Sequence, residues 1–260
     1  PSVTSASEAI KDDAPQVWNN AKNNLCFDWE MGEEEKANKA FENADTVVEI
    51  ELINNRIVPN SMETRGAIAS YDKEENKYEL RCSSQGVHSI RDRVSELLNI
   101  EAKDLRVITT DVGGGFGMKL FNYPEYICSL FASKKIGRPV KWISERTEAF
   151  LSDTHGRDHL TKAKMALDKN GIFLGVKINT TANLGAYLSN FAIFIPTLAG
   201  TAMLAGCYKT PAIYVNVLGV FTNTPAIDAY RGAGRPEASF VIERLVDIAG
   251  LNAGLGPIEI

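Results

Sequence analysis

The chain has 260 residues, 44% of them hydrophobic and 23% charged, and carries a formal net charge of −5 at pH 7. That length and apolar content support a substantial core in one large or two modest domains and exclude a disordered chain. The negative charge, with no Lys/Arg cluster along the chain, argues against a nucleic-acid surface.

Residues 1–42 are polar and irregular and read as a connector from a preceding domain, with Glu33, Glu34 and Glu35 ahead of a short helical pattern ending near Asn43. From Thr46 to Ile53 the apolar Val47, Val48, Ile50 and Leu52 sit in a β-rich run, and Gly66 to Tyr71 and Lys77 to Cys82 predict further strands. Val87, Ile90, Val94, Leu97 and Leu98 recur at helical spacing, so a helix precedes the strand Leu105 to Thr110. A second helix is expected from Tyr123 to Lys135, with Tyr126, Ile127, Leu130 and Phe131 as its apolar positions and Gly137-Arg138-Pro139 ending it. Strand Val140 to Ser144 follows. Asp168-Lys169-Asn170-Gly171 is a hairpin signature between Thr161 to Leu167 and Phe173 to Asn179, which predicts antiparallel pairing. After strand Ile213 to Phe221, Pro236 opens a last helix with Phe240, Val241, Leu245 and Ile248 on its buried side. Strands and helices without regular β-α-β alternation predict an α+β fold of mixed or antiparallel sheets with packed helices.

The stretch Val112-Gly113-Gly114-Gly115-Phe116-Gly117-Met118-Lys119 follows an apolar strand and is expected to lead into a helix. Successive glycines reach positive φ freely and have no Cβ, so the backbone can approach a bulky group closely. A helix start would add free N–H donors and a positive dipole end, which suit an anion. A dinucleotide fingerprint would need glycine at Met118 or Leu120, and a Walker loop would need glycine before Lys119 and Ser or Thr after it. A phosphate loop of another kind and a plain tight turn both stay open.

A second loop, Asn223 to Glu237, repeats this logic and adds guanidinium groups at Arg231 and Arg235, whose planar forks suit oxyanions. Arg235 is equally suited to an ion pair with Asp228 or Glu237, and Arg231 less so.

Asp111-Val112-Gly113-Gly114-Gly115-Phe116-Gly117, Gly137-Arg138-Pro139-Val140-Lys141-Trp142, His155-Gly156-Arg157-Asp158-His159, Ala182-Asn183-Leu184-Gly185-Ala186-Tyr187 and Ala229-Tyr230-Arg231-Gly232-Ala233-Gly234-Arg235-Pro236-Glu237 occur in this order. Taken together they resemble the xanthine dehydrogenase and aldehyde oxidase family of molybdenum hydroxylases, in its molybdopterin-binding large subunit. Within it, the likeness is greatest to the aerobic carbon monoxide dehydrogenase large subunit and its relatives. The resemblance runs over about residues 25 to 250 and implies that residues 43–260 are the first molybdopterin-binding domain, cut short at its C-terminus. It implies a molybdopterin carrying molybdenum, in the cytosine dinucleotide form, held without protein ligands to the metal. Gly114, Gly115, Phe116 and Gly117 would lie at the cofactor, with Phe116 using its backbone amide, and Arg231, Gly232 and Ala233 would form the opposite wall. The family hydroxylates an electrophilic carbon with water as oxygen source, or oxidises CO. Its electrons leave through an FeS subunit and an FAD subunit, in a heterotrimer that can dimerise.

Departures from the family pattern limit what carries over. The family's catalytic base is a glutamate near the far C-terminus, expected beyond Ile260, so no catalytic residue is named in this chain. Purine-oxidising members carry a glutamate where Leu120 stands and an arginine in the region of Ala199, so both polar anchors for a purine are missing. CO-oxidising members resemble Ala-Tyr-Arg-Cys-Ser-Phe-Arg, whose cysteine binds Cu(I). Here Gly232-Ala233-Gly234 stands in its place, so copper is not expected. A small aldehyde or an N-heterocycle fits best, with CO oxidation and a non-catalytic scaffold as alternatives.

The remaining tempting residues read as structural. His155 and His159 flank Asp158, but in a loop entering a strand that spacing does not converge on a metal. Asp153 and Asp158 are expected to be solvated or paired, Cys128 to be a small hydrophobe in a helix, and Trp18, Trp29 and Trp142 to serve packing. Cys26, Cys82, Cys128 and Cys207 form no C-x-x-C pair and read as reduced thiols of a cytoplasmic protein. Pro196 and glycines interrupt the apolar stretch Phe191 to Gly206, the N-terminus shows no signal-peptide pattern, and without an initiator Met the chain is expected to be a piece of something longer.

Overall fold

The computed structural model describes residues 1–260. In chain order, α1 Ala6–Ala9, β1 Leu25–Gly32, α2 Glu34–Glu42 and β2 Thr46–Asn54 come first. Next are β3 Gly66–Asp72, β4 Lys77–Cys82, α3 Val87–Leu98, β5 Leu105–Ile108, α4 Pro124–Ile136, β6 Val140–Ile143 and α5 Arg146–Ser152. Last are β7 His159–Leu167, β8 Phe173–Gly185, β9 Ile213–Phe221 and α6 Arg235–Ala253. The chain divides into two compact units, one of Pro1–Ile57 with His155–Ile260 and one of Val58–Thr154.

The first unit is built on a five-stranded sheet in the order β1-β9-β8-β7-β2, antiparallel throughout except for the parallel β8–β9 pair. The β7–β8 hairpin forms where the turn chemistry predicts it. Asp168 accepts the N–H groups of Asn170 and Ile172, and Gly171 takes φ +82°. Helix α6 covers one face of the sheet, setting Ala238, Val241, Ile242 and Leu245 against Met165, Ile178 and Val217. Burying a Val, Ile, Leu or Met side chain is worth about 1.5–3 kcal/mol, so this layer contributes heavily to the unit's stability. Phe240, expected on the buried side, is 39% exposed, because the buried stripe runs through Ala238, Val241, Ile242 and Leu245 and leaves it at the rim. Residues 25–32, where no strand was expected, pair with β9 as an edge strand. Most of its residues are exposed, so the alternation that marks a half-buried strand is faint.

The second unit carries a four-stranded sheet in the order β5-β4-β3-β6, with β4 and β5 parallel and joined through α3. Helix α4 packs on β3 and α3 on β5, around Ala69, Leu80, Ile90, Val94, Tyr126 and Leu130, all fully buried. The buried side of α4 consists of Tyr126, Ser129, Leu130 and Ser133. Cys128 and Phe131 therefore project outward, and the expectation that Cys128 is a packed small hydrophobe is corrected. No helix of the chain is long and apolar enough to cross a membrane.

Candidate cofactor site

The first glycine loop hangs between β5 and a single 3-10 turn, Met118–Leu120, and α4 begins only at Pro124. The helix expected directly after the loop is therefore absent, and the loop owes its donors to its own backbone. A knot of side chains fixes its entrance. Fully buried Lys119 donates to Glu63 Oε2 at 2.7 Å and to the Glu63 carbonyl at 2.9 Å. The same carboxylate oxygen accepts the Gly113 N–H at 2.8 Å and the Ser83 hydroxyl at 2.6 Å. Partial burial works against ionised Glu63, but the hydrogen bonds from Lys119, Ser83 and Gly113 outweigh it and hold the carboxyl below its ordinary value.

The exit is fixed by Gln85, whose Oε1 accepts the Gly117 N–H at 2.9 Å. A Cβ at Gly115 would collide with that amide, and one at Gly113 would come within 2.5 Å of the Glu63 Cβ. These glycines thus answer first to the chain's own side chains. Between the two anchors, the N–H groups of Gly114, Gly115 and Phe116 donate to no acceptor in the chain. Gly114 and Gly117 take φ +94° and +105°, and Phe116, a bulky residue, is held at φ +53° with its ring part-exposed. Such an outlier persists only when its surroundings over-determine it.

In the other unit, residues 231–234 form a turn into α6, with Gly232, Ala233 and Gly234 at φ +98°, +41° and +90°. Ala233 N–H bonds the Tyr230 carbonyl at 2.7 Å, while the N–H groups of Arg231 and Gly232 have no partner. Arg157 clamps this turn from beneath. Its Nη2 donates to the Arg231 carbonyl at 2.8 Å, its Nη1 lies 2.9 Å from Glu237 Oε1, and its guanidinium stacks over the Tyr230 ring at 4.8 Å. The ion pair left open for Arg235 is not formed. Glu237 is taken by Arg157, Asp228 accepts the N–H groups of Phe191 and Ala229, and Arg235 reaches only the carbonyls of Gly232 and Ala233, at 3.3 Å each. Arg231 is exposed and its side chain has no partner.

His155 and His159 are both buried, and no group of His, Cys, Asp or Glu in the chain is arranged to hold a metal ion. Burial keeps the His159 ring below its ordinary pKa. Asp158 pairs with Arg56 at 2.8 Å, and buried Asp153 pairs with Arg65 at 2.5 Å. Sequence reasoning assigned no role to Glu63, Gln85 or Arg157. The polar run Ser83-Ser84-Gln85, placed between an apolar strand and a helix, was the available signal for the second of these. Arg157 lay in a quoted motif, but its partners are 73 to 80 residues away in sequence.

Residues 17–260 match the molybdopterin cofactor-binding domain family, and the chain belongs to that family. It is 32% identical to the carbon monoxide dehydrogenase large chain of Hydrogenophaga pseudoflava, covering all of this chain and 34% of that protein. It is 30% identical to subunit gamma of the 6-hydroxypseudooxynicotine dehydrogenase complex of Paenarthrobacter nicotinovorans, over 85% of this chain and 28% of the relative. The solved quinoline 2-oxidoreductase from Pseudomonas putida 86 superposes with a TM-score of 0.92 at 30% identity, covering 100% of this chain and 33% of that one. The chain thus spans about a third of the length of the relatives it matches. The α+β fold and the family expected from the sequence are both found.

Proposed function

We propose that this chain holds part of a molybdenum-carrying molybdopterin as a portion of the large subunit of a molybdenum hydroxylase. The observation that carries the reading is the row of unpaired N–H groups at Gly114, Gly115 and Phe116, presented by a loop pinned at Gly113 and Gly117. Converging backbone donors of this kind suit the oxygens of an anionic cofactor. In the second loop the free N–H groups of Arg231 and Gly232 and the unpaired Arg231 guanidinium offer the same chemistry, and Ala233 adds only a methyl group. Neither loop contains a thiolate or an imidazole, so the donor set fits a cofactor that brings its own metal ligands. When bound, that group supplies oxygen transfer and electron acceptance. The residues named here bind and orient it.

A small aldehyde or N-heterocycle, hydroxylated with water as oxygen source, is the substrate class this reading favours. By the resemblance, purine-oxidising members carry a glutamate at the position of Leu120 and an arginine in the region of Ala199. The cytosine dinucleotide form, FeS and FAD partner subunits and a cytoplasmic setting belong to the same proposal. The free thiols are in keeping with that compartment. Oxidation of CO is the second reading, favoured by the 32% identity to a carbon monoxide dehydrogenase large chain. Against it, Gly232 offers no sulfur for copper.

Metal and pterin analysis of the full-length protein, produced with its partner subunits, tests the proposal. Stoichiometric molybdenum and pterin with background copper are expected. Absence of molybdenum and pterin in an assembled complex would overturn it in favour of a scaffold. Turnover of aldehydes and N-heterocycles, compared with CO, separates the substrate readings.

A further inference from the structure

Beneath the second loop, within the first unit, lies a small cavity of about 30 Å³ lined by His159, Thr161, Thr180, Thr201 and Glu237. Glu237 is 5% exposed, and its Oε2 has no hydrogen-bond partner although Oε1 is held by Arg157. His159 is 7% exposed, and its ring lines the same space. An unpartnered carboxylate oxygen and a buried imidazole thus border one small, partly open pocket. An unsatisfied buried carboxylate oxygen is costly, and such groups in native proteins are usually completed by a partner or by ordered water. A water needs roughly 10–15 Å³ of such space and two to four polar partners, and this cavity meets both conditions.

We propose that the cavity is a resident water site, in which an ordered water donates one hydrogen bond to Glu237 Oε2 and the other to the unprotonated ring nitrogen of His159. The hydroxyls of Thr161 and Thr180, 3.0 Å apart on neighbouring strands, line the same space and can donate to it. Burial favours the neutral imidazole, which leaves one ring nitrogen free to accept. The water would complete the solvation of the carboxylate whose other oxygen holds Arg157. Through Arg157 it would support the Tyr230 and Arg231 carbonyls.

A crystal structure of the full-length protein, at a resolution that shows ordered water, tests this without reference to cofactor content. Density within hydrogen-bonding distance of both Glu237 Oε2 and a His159 ring nitrogen is the expected result. A dry cavity, or water touching neither residue, would overturn the proposal. In the variant His159→Phe, ¹⁷O water relaxation dispersion should count at least one fewer long-lived internal water than in the parent. An unchanged count in a folded variant would also overturn it.

Discussion

Lys119 and Glu63 form an ion pair at 2.7 Å in which the lysine side chain is fully buried and the glutamate is 41% exposed. The asymmetry decides which partner is the more dangerous to remove. Glu63→Gln leaves an ammonium in the interior with only the Glu63 carbonyl and a neutral amide beside it, and should cost about 3–5 kcal/mol. Lys119→Met leaves a carboxylate that water can reach, and should cost less, about 1–3 kcal/mol. Denaturant unfolding of both variants checks the order, and a larger loss for Lys119→Met would contradict it.

Glu63 also sets a pH dependence. Its folded-state pKa lies below the ordinary glutamate value, so the unfolded chain binds the proton more readily. The stability it contributes is full above the unfolded value of about 4.3 and is lost as pH falls through the lowered folded value. Thermal melts from about pH 6 to about pH 3 should show this loss, and Glu63→Gln should flatten the acid limb.

Gly115→Ala should displace Gln85, because the added Cβ would fall on its side-chain amide. We expect a loss of about 1–3 kcal/mol from overpacking. The double variant with Gln85→Ala should recover part of it, which a double-mutant cycle measures as coupling. Strict additivity would show that the two residues do not meet.

Arg157→Ala removes the cation from a buried pair in which the Glu237 side chain is 6% exposed, and takes the donor from the Arg231 carbonyl. Destabilisation of about 3–5 kcal/mol is expected. Arg157→Lys should recover little of this, because an ammonium cannot span Glu237 and the carbonyl as the fork does. Chemical denaturation of the two variants gives the comparison.

Thiol labelling should be selective. Cys82 is buried and its thiol is pushed up to about 11, whereas Cys128 and Cys207 are exposed. Brief alkylation at neutral pH followed by peptide mass spectrometry should find Cys128 and Cys207 modified and Cys82 intact. Early modification of Cys82 would show that this unit opens readily.

Most elements were legible in the sequence because their causes are local. The strands Lys77–Cys82 and Ile213–Phe221 follow from β-rich apolar runs, the β7–β8 hairpin from Asp168 to Gly171, and α6 from Pro236 and its apolar stripe. The two loops were also legible, as glycine runs between such elements, and the family followed from their joint order with the other motifs. Each of these signals spans a few residues and survives without knowledge of the rest of the chain.

Tertiary structure alone decided what holds the loops and which of their groups are left free. Gln85 reaches Gly117 across 32 residues, Lys119 reaches Glu63 across 56, and Arg157 reaches Glu237 across 80. No local period encodes such pairings. They arise where packing inside each unit brings distant backbone together, and that packing assigned Glu237 to Arg157 and left Arg235 without a carboxylate. For the same reason the parallel β8–β9 pair, the edge strand β1 and the outward-facing Cys128 were not foreseen: each depends on what lies across the core, beyond the reach of neighbours in sequence.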